Sequence, residues 1–253
     1  MISLINSKGG VGKTTTAVNL AAGLVRYSYQ VLLIDLDSQG SASFSLGMER
    51  DNLVPGIANV LLQGQSIAEV IRKTEIANLD LLTGSIDLAS ADILLTNAES
   101  RENRLQQALE PVLHRYDFIL IDCPPSLGLL TVNALVASSH YIAPVTPHYL
   151  ALEGLVNLLQ AVDLIQAGIG RGAKLLGLVL TMVDRRTRVA GEIAELIQHH
   201  YGNRVFATEV PVNTKVSEAP SWGQSIFEYA PASTGAEAYR KLTEELLQRV
   251  AKY

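Results

Sequence analysis

Two lysines and three glycines crowd into eight residues near the start of the chain. They form Lys8-Gly9-Gly10-Val11-Gly12-Lys13-Thr14-Thr15, directly behind the apolar run Ile2-Ser3-Leu4-Ile5. A buried strand that runs into a Gly-rich turn and then a helix is the setting of a phosphate-binding loop. Backbone N–H groups can face a β-phosphate only where side chains are missing, hence Gly9, Gly10 and Gly12. Lys13 supplies a point charge between the terminal phosphates, and the Thr14 hydroxyl is placed to ligate Mg²⁺. Such a run matches by chance about once in 10⁸–10⁹ positions, so nucleotide binding outweighs an ordinary Gly-rich turn. The usual pattern, G-x4-G-K-[ST], needs Gly at position 7, where this chain has Ser7. It has a second lysine instead, Lys8, at the mouth of the loop. Lys13 already fills the ordinary phosphate role, so Lys8 calls for another explanation.

Acidic residues follow two further apolar runs. Val31-Leu32-Leu33-Ile34 ends in Asp35-Leu36-Asp37-Ser38-Gln39-Gly40, and Phe118-Ile119-Leu120-Ile121 ends in Asp122-Cys123-Pro124-Pro125. Asp122 fits the Walker B role of holding Mg²⁺ through water. Asp35 and Asp37 are two apart, so in extended backbone both point to one side. One carboxylate of that pair is suited to orient or deprotonate an attacking water.

Positioning these groups takes a sheet. Strand-like runs at 2–5, 31–34, 79–82, 118–121, 141–145, 176–180 and 205–210 alternate with helical patterns near 13–27, 100–115, 127–138, 152–167, 189–201 and 235–252. Short apolar runs separated by helices predict an α/β fold, a doubly wound and mostly parallel sheet with helices on both faces. Ligands of such sheets bind at the carboxyl ends of the strands, where the acids fall. A single domain over 1–253 is expected, with the irregular stretch 47–100 as an insertion on its surface.

Composition sets the limits. Apolar residues make up 48% of the 253, in keeping with a buried parallel sheet. No apolar run approaches the ~18–20 residues that cross a bilayer, and no signal peptide precedes the first strand, so a cytoplasmic protein is expected. The single cysteine, Cys123, excludes a disulfide framework and an intrachain four-cysteine site. The net charge is −5. It is unevenly spread: residues 171–253 hold 11 Lys/Arg against 9 Asp/Glu, whereas residues 1–170 hold 9 against 16.

In these motifs the chain resembles the ParA/Soj family of deviant Walker A partition ATPases, P-loop NTPases related to MinD. The matching stretches are Ser7–Thr16, VLLIDLDSQG at 31–40, YDFILIDCPPSLGLLTVNAL at 116–135, LALEGL at 150–155, LTMVDRRT at 180–187, 216–229 and 235–239. The resemblance implies a homodimer that sandwiches two ATP molecules with Mg²⁺. Lys8 then reaches the phosphates held by the partner copy, completing a charge cluster only when the dimer closes, as an arginine finger does. Asp37 takes the water-positioning role, and Thr14, Asp35 and Asp122 support Mg²⁺ and the switch segments. Met182, Pro211 and Asn213 lie near the adenine. Hydrolysis is slow and stimulated by a ParB-type partner. Two departures stand out: Ser38 replaces a common proline, which loosens the backbone, and Val212 stands where a basic residue is frequent.

The same resemblance implies nonspecific binding to double-stranded DNA through Arg186 and Lys215, and with it a nucleoid-associated location. Arg185, Arg188 and the last-helix residues Arg240, Lys241, Arg249 and Lys252 add basic charge. Such binding is directed at phosphates, and with no helix-turn-helix ahead of the loop no operator recognition is expected. Three rivals differ in class. A MinD-like membrane ATPase needs a terminal amphipathic anchor beyond the last helix, and none is expected here. An iron–sulfur carrier needs two cysteines per subunit. A ParA-like ATPase that spaces carboxysomes or another cargo over the nucleoid shares all of this chemistry.

Overall fold

The computed structural model describes residues 1–252; Tyr253, at the end of the expected domain, lies outside them. In chain order the elements begin with β1 (Ile2–Leu4), α1 (Lys13–Val25), β2 (Val31–Asp35) and α2 (Ser41–Ser45). Then come α3 (Ile57–Gln63), α4 (Ile67–Val70), β3 (Arg72–Lys73), β4 (Leu79–Leu82), α5 (Ala91–Leu95), α6 (Arg104–Leu109), β5 (Phe118–Asp122) and α7 (Leu129–Ala137). The chain continues through β6 (His140–Val145), α8 (Ala151–Ile169), β7 (Lys174–Leu180), α9 (Arg188–Tyr201), α10 (Thr214–Glu218), α11 (Ile226–Tyr229) and α12 (Thr234–Val250).

The seven strands line up in the order β3-β4-β2-β5-β1-β6-β7, parallel throughout except for the antiparallel edge strand β3. Alternation along each strand divides the core. Ile2, Leu4, Val31, Leu33, Leu79 and Leu81 face one side, where they pack with α1 and α12. Ile5, Leu32, Ile34, Leu82, Ile119 and Ile121 face the other, against residues of α3 to α9. Successive side chains of a strand point to opposite faces, and a sheet covered on both sides therefore needs apolar residues at nearly every position. The doubly wound expectation holds.

Three readings of the sequence need correction. The stretch 47–100 is no surface insertion. It supplies β3 and β4, and its Ile57, Leu61, Ile67, Val70, Leu88 and Leu95 are buried in the main core. The run at 205–210 forms no continuous strand: Val205 bridges Leu178, and the N–H groups of Phe206 and Val210 donate to Leu178 O and Leu180 O of β7, both at 2.8 Å, while Pro211 just beyond it bridges Val183. The cause is Glu245 of α12, whose carboxylate accepts the N–H groups of Ala207 and Thr208, both at 2.9 Å. Those two donors are lost to any ladder. The helix expected over 100–115 is likewise split, α6 giving way to a 3₁₀ segment, Glu110–Arg115, with Pro111 in its first turn.

α8 also exceeds expectation. Its 19 residues are long and apolar enough to cross a bilayer by length and composition. Ala151, Leu155, Leu158 and Val162 form a buried stripe against the sheet, while Val156 and Leu164 are exposed and Glu153 and Asp163 interrupt the apolar surface.

Candidate nucleotide site

The loop between β1 and α1 turns through two glycines in left-handed backbone, Gly10 at φ 71° and Gly12 at φ 79°. L side chains rarely adopt that conformation, so the turn depends on them. A Cβ added to Gly9 or Gly10 would meet nothing within 4 Å, so the loop rims open space beside the N-terminus of α1. That helix has no acid in its first turn and no side-chain cap. Its free N–H groups and positive dipole end suit an anion.

Each of the two lysines has its own place. Lys13 is buried, and its Nζ donates to the Lys8 carbonyl oxygen at 3.1 Å. Burial lowers its pKa, opposed by the charges of Asp122, Cys123 and Asp37. Lys8 is exposed and turns away from the loop. Its Nζ donates to the Leu150 carbonyl at 2.9 Å and lies over Gly154 of α8, where a Cβ would stand 2.8 Å from it. Two residues that the sequence reading missed hold the loop. Asn6 accepts the Lys8 N–H at 2.9 Å and donates to Pro144 O at 2.8 Å, tying the loop to β6. Thr181, past the end of β7, donates to Val11 O at 2.9 Å. Both are polar residues directly after an apolar run, a signal that was present in the sequence.

Three acids gather at the carboxyl edge of the sheet. Asp35 and Asp122 are register partners on β2 and β5, both fully buried. One Asp35 oxygen accepts the Asp37 N–H at 3.2 Å; the other accepts the Ser43 N–H at 2.9 Å and the Ser43 hydroxyl at 2.8 Å. Asp122 differs. Neither of its oxygens has a hydrogen bond of ordinary geometry, although the Thr14 hydroxyl is near enough to pull its pKa down in part. Burial raises both pKa values, and for Asp122 the neighbouring Asp35 charge raises it further. Asp37 is half-buried, with one carboxylate oxygen accepting the Gln39 N–H at 3.0 Å and the other without a hydrogen bond from the described residues.

A bare, buried carboxylate beside a threonine hydroxyl and an open anion cradle suits a divalent cation that also bears phosphate oxygens and water. Among the described residues no three His, Cys, Asp or Glu side chains converge on a metal position. The fit is therefore to magnesium brought with a nucleotide, through Thr14 and Asp122. Asp35 has both oxygens engaged by the segment that carries Asp37, so its share is to hold that segment.

The outer residues are brought together in part. Met182 (φ 51°) precedes Val183, which pairs with Pro211. Met182 and Val212 line a cleft of about 470 Å³ with Thr146, His148, Tyr149 and Asp184. Asn213 caps α10, its oxygen accepting the Val216 N–H and its amide donating to Thr234. Pro211 and Asn213 do not line that cleft. Arg186 follows the Val183 segment, and Lys215 follows the Pro211 segment bridged to it. Each is held by an acid: Arg186 donates two hydrogen bonds to Asp184 at 2.8 and 2.9 Å, and Lys215 meets Glu218 at 2.8 Å. Arg249 leaves the basic set. It lies over the Phe206 ring at 4.0 Å and donates to the carbonyls of Leu176, Asn203 and Val205.

A Gly-rich loop opening a helix, a buried lysine within it and a bare acid on the adjacent strand define a P-loop nucleotide-binding protein of the deviant kind with a second lysine. A family model described as an AAA domain matches residues 1–173. The sporulation initiation inhibitor protein Soj of Bacillus subtilis is 44% identical over 97% of each chain. The chromosome partitioning protein ParA of Myxococcus xanthus is 43% identical over 98% of this chain and 88% of its own. Among solved structures, cobyrinic acid a,c-diamide synthase from Mycobacterium smegmatis, with a bound ATP analogue and magnesium, superposes with a TM-score of 0.85 at 33% identity, covering 99% and 95% of the two chains. The chain belongs to the Soj/ParA family of partition ATPases.

Proposed function

We propose that this chain is a Mg²⁺-dependent ATPase that closes as a homodimer around two ATP molecules. The closed dimer binds double-stranded DNA without sequence preference and is released when a ParB-type partner stimulates hydrolysis, so that chromosome or plasmid DNA is segregated. Its place is then the cytoplasm, on the nucleoid, with the whole chain acting as one ATPase unit.

The observation that carries this reading is the division between the two lysines. Lys13 is buried at the cradle and serves the phosphates of its own copy. Lys8 leaves that cradle and rests on α8 beside the exposed Tyr149 and Leu150, free to be drawn toward the phosphates of a facing copy. The loop N–H groups and the α1 N-terminus orient the phosphates, and Thr14 and Asp122 are the residues that would hold magnesium, which would supply charge neutralisation for the phosphate group. Asp37, with one oxygen unbonded, orients the attacking water and accepts its proton. The relatives' printed roles in chromosome partitioning support the cargo assignment.

Sedimentation with and without ATP tests the reading. The native chain is expected to dimerise only with ATP and Mg²⁺. Lys13→Ala is expected to lose ATP binding, whereas Lys8→Ala keeps it and stays monomeric. A normal ATP dimer of the Lys8 variant removes the trans-lysine assignment.

A further inference from the structure

Ser43 sits fully buried in α2, the short helix that follows the Asp37 loop. Its hydroxyl does two things at once. It donates to Asp35 Oδ2 at 2.8 Å and accepts the Gly84 N–H, just past the end of β4, at 3.1 Å. The Ser43 backbone N–H donates to the same Asp35 oxygen at 2.9 Å. The remaining Asp35 oxygen holds the Asp37 N–H, and the Asp37 carbonyl accepts the Gly40 N–H at 3.0 Å. One continuous line of hydrogen bonds therefore runs from the end of β4 through Ser43 and Asp35 to the backbone that aims Asp37.

The line is also braced by close packing. A Cβ on Gly84 would lie 2.6 Å from the Asp37 carbonyl oxygen, 2.8 Å from that of Asp35 and 2.9 Å from the Asp35 carboxyl carbon. The end of β4 thus presses directly on the turn between the two acids. A hydroxyl is the smallest group that both donates to a carboxylate and accepts from an amide. Alanine at position 43 would leave the Gly84 N–H without its acceptor and Asp35 with one donor fewer, in a site closed to water.

We infer that Ser43 is a positioning residue for hydrolysis, fixing Asp35, and through it the Asp37 backbone, against the end of β4. Its hydroxyl is spent on Asp35 and the Gly84 N–H, in a position with no exposed surface. The inference rests on the reading above in which Asp37 orients the attacking water.

The test is a double-mutant cycle on steady-state ATP turnover, with ATP binding measured alongside. Misplacing a catalytic group by about 1 Å costs on the order of 10²-fold, so Ser43→Ala is expected to lower kcat by about 10- to 100-fold, with ATP affinity kept within about threefold. Residues that act as a unit are not additive. Ser43→Ala in the Asp37→Ala background is therefore expected to cost nothing further. Native turnover in Ser43→Ala, a full additional loss in the double variant, or loss of ATP binding together with turnover would each overturn the inference, the last by assigning Ser43 to the fold. A native chain that turns over no ATP would instead remove the hydrolysis reading and this inference with it.

Discussion

Asp35 and Asp122 stand side by side at the carboxyl ends of adjacent strands, and their carboxylates are treated oppositely: Asp35 accepts three hydrogen bonds, Asp122 none of ordinary geometry. The site is built around a buried carboxyl group with no hydrogen bond of ordinary geometry, whose charge Lys13 answers only in part. A charge left bare in the interior is costly until a cation or proton answers it.

That cost sets a pH dependence. The folded-state pKa of Asp122 is raised well above its usual value by burial and by Asp35. A group raised in this way penalises folding at high pH. The penalty lifts as pH falls through the folded pKa toward the unfolded one. Asp122→Asn is therefore expected to melt above the native chain, without nucleotide, at alkaline pH. Its advantage is expected to shrink as the pH is lowered toward the ordinary carboxylate range. Melting curves of both proteins across pH check this, and a constant difference would contradict it.

Two glycines near the site separate close packing against backbone from contact with a flexible side chain. At Gly84 a Cβ meets backbone carbonyl oxygens, whereas at Gly154 it meets only the end of Lys8. Gly84→Ala is expected to destabilise by about 1–3 kcal/mol, as overpacking does. Gly154→Ala is expected to fold at least as well as the native chain, with up to about 1 kcal/mol gained from helix propensity. Chemical denaturation measures both.

In the proposed mechanism hydrolysis separates from binding at Asp37. The proposed role of its carboxylate is toward the attacking water and not the phosphates, so Asp37→Ala is expected to bind ATP and dimerise while turnover falls about 10²–10⁴-fold, the usual worth of a general base. Turnover equal to the native rate would move the role to another acid.

The loop was legible because it is local: eight consecutive residues carry its chemistry, and the acids that end β2 and β5 follow from strand ends alone. What was not legible depends on distant partners. Ser43 acquires its role only when β4 comes to lie beside β2, since its acceptor and its donor are 8 and 41 positions away. The run at 205–210 has strand-like residues, but a glutamate nearly 40 positions on captures its N–H groups. Arg249 reads as surface charge until the Phe206 ring and three carbonyls surround it. The core role of 47–100 was hidden by its short elements, none longer than seven residues.

The same contrast divides the basic residues. Exposed ion pairs contribute little, so freeing Arg186 from Asp184 or Lys215 from Glu218 costs little when a phosphate competes. Arg186→Ala and Lys215→Ala are expected to weaken DNA binding evenly across sequences while melting stays native. Arg249→Ala is expected to lower the melting temperature, because three backbone carbonyls lose their donor. Paired melting and DNA-binding measurements distinguish the two classes.

Retention of the native chain on random-sequence duplex DNA, with and without ATP over a salt series, tests the central claim most directly. The proposed ATP dimer would bring two copies of Arg186 and Lys215 to the DNA at once, so retention is expected only with ATP. With about six phosphate contacts, affinity is expected to fall about 10³-fold between 50 and 200 mM salt. Retention that ignores salt, or none at all with ATP and Mg²⁺ present, would contradict the account.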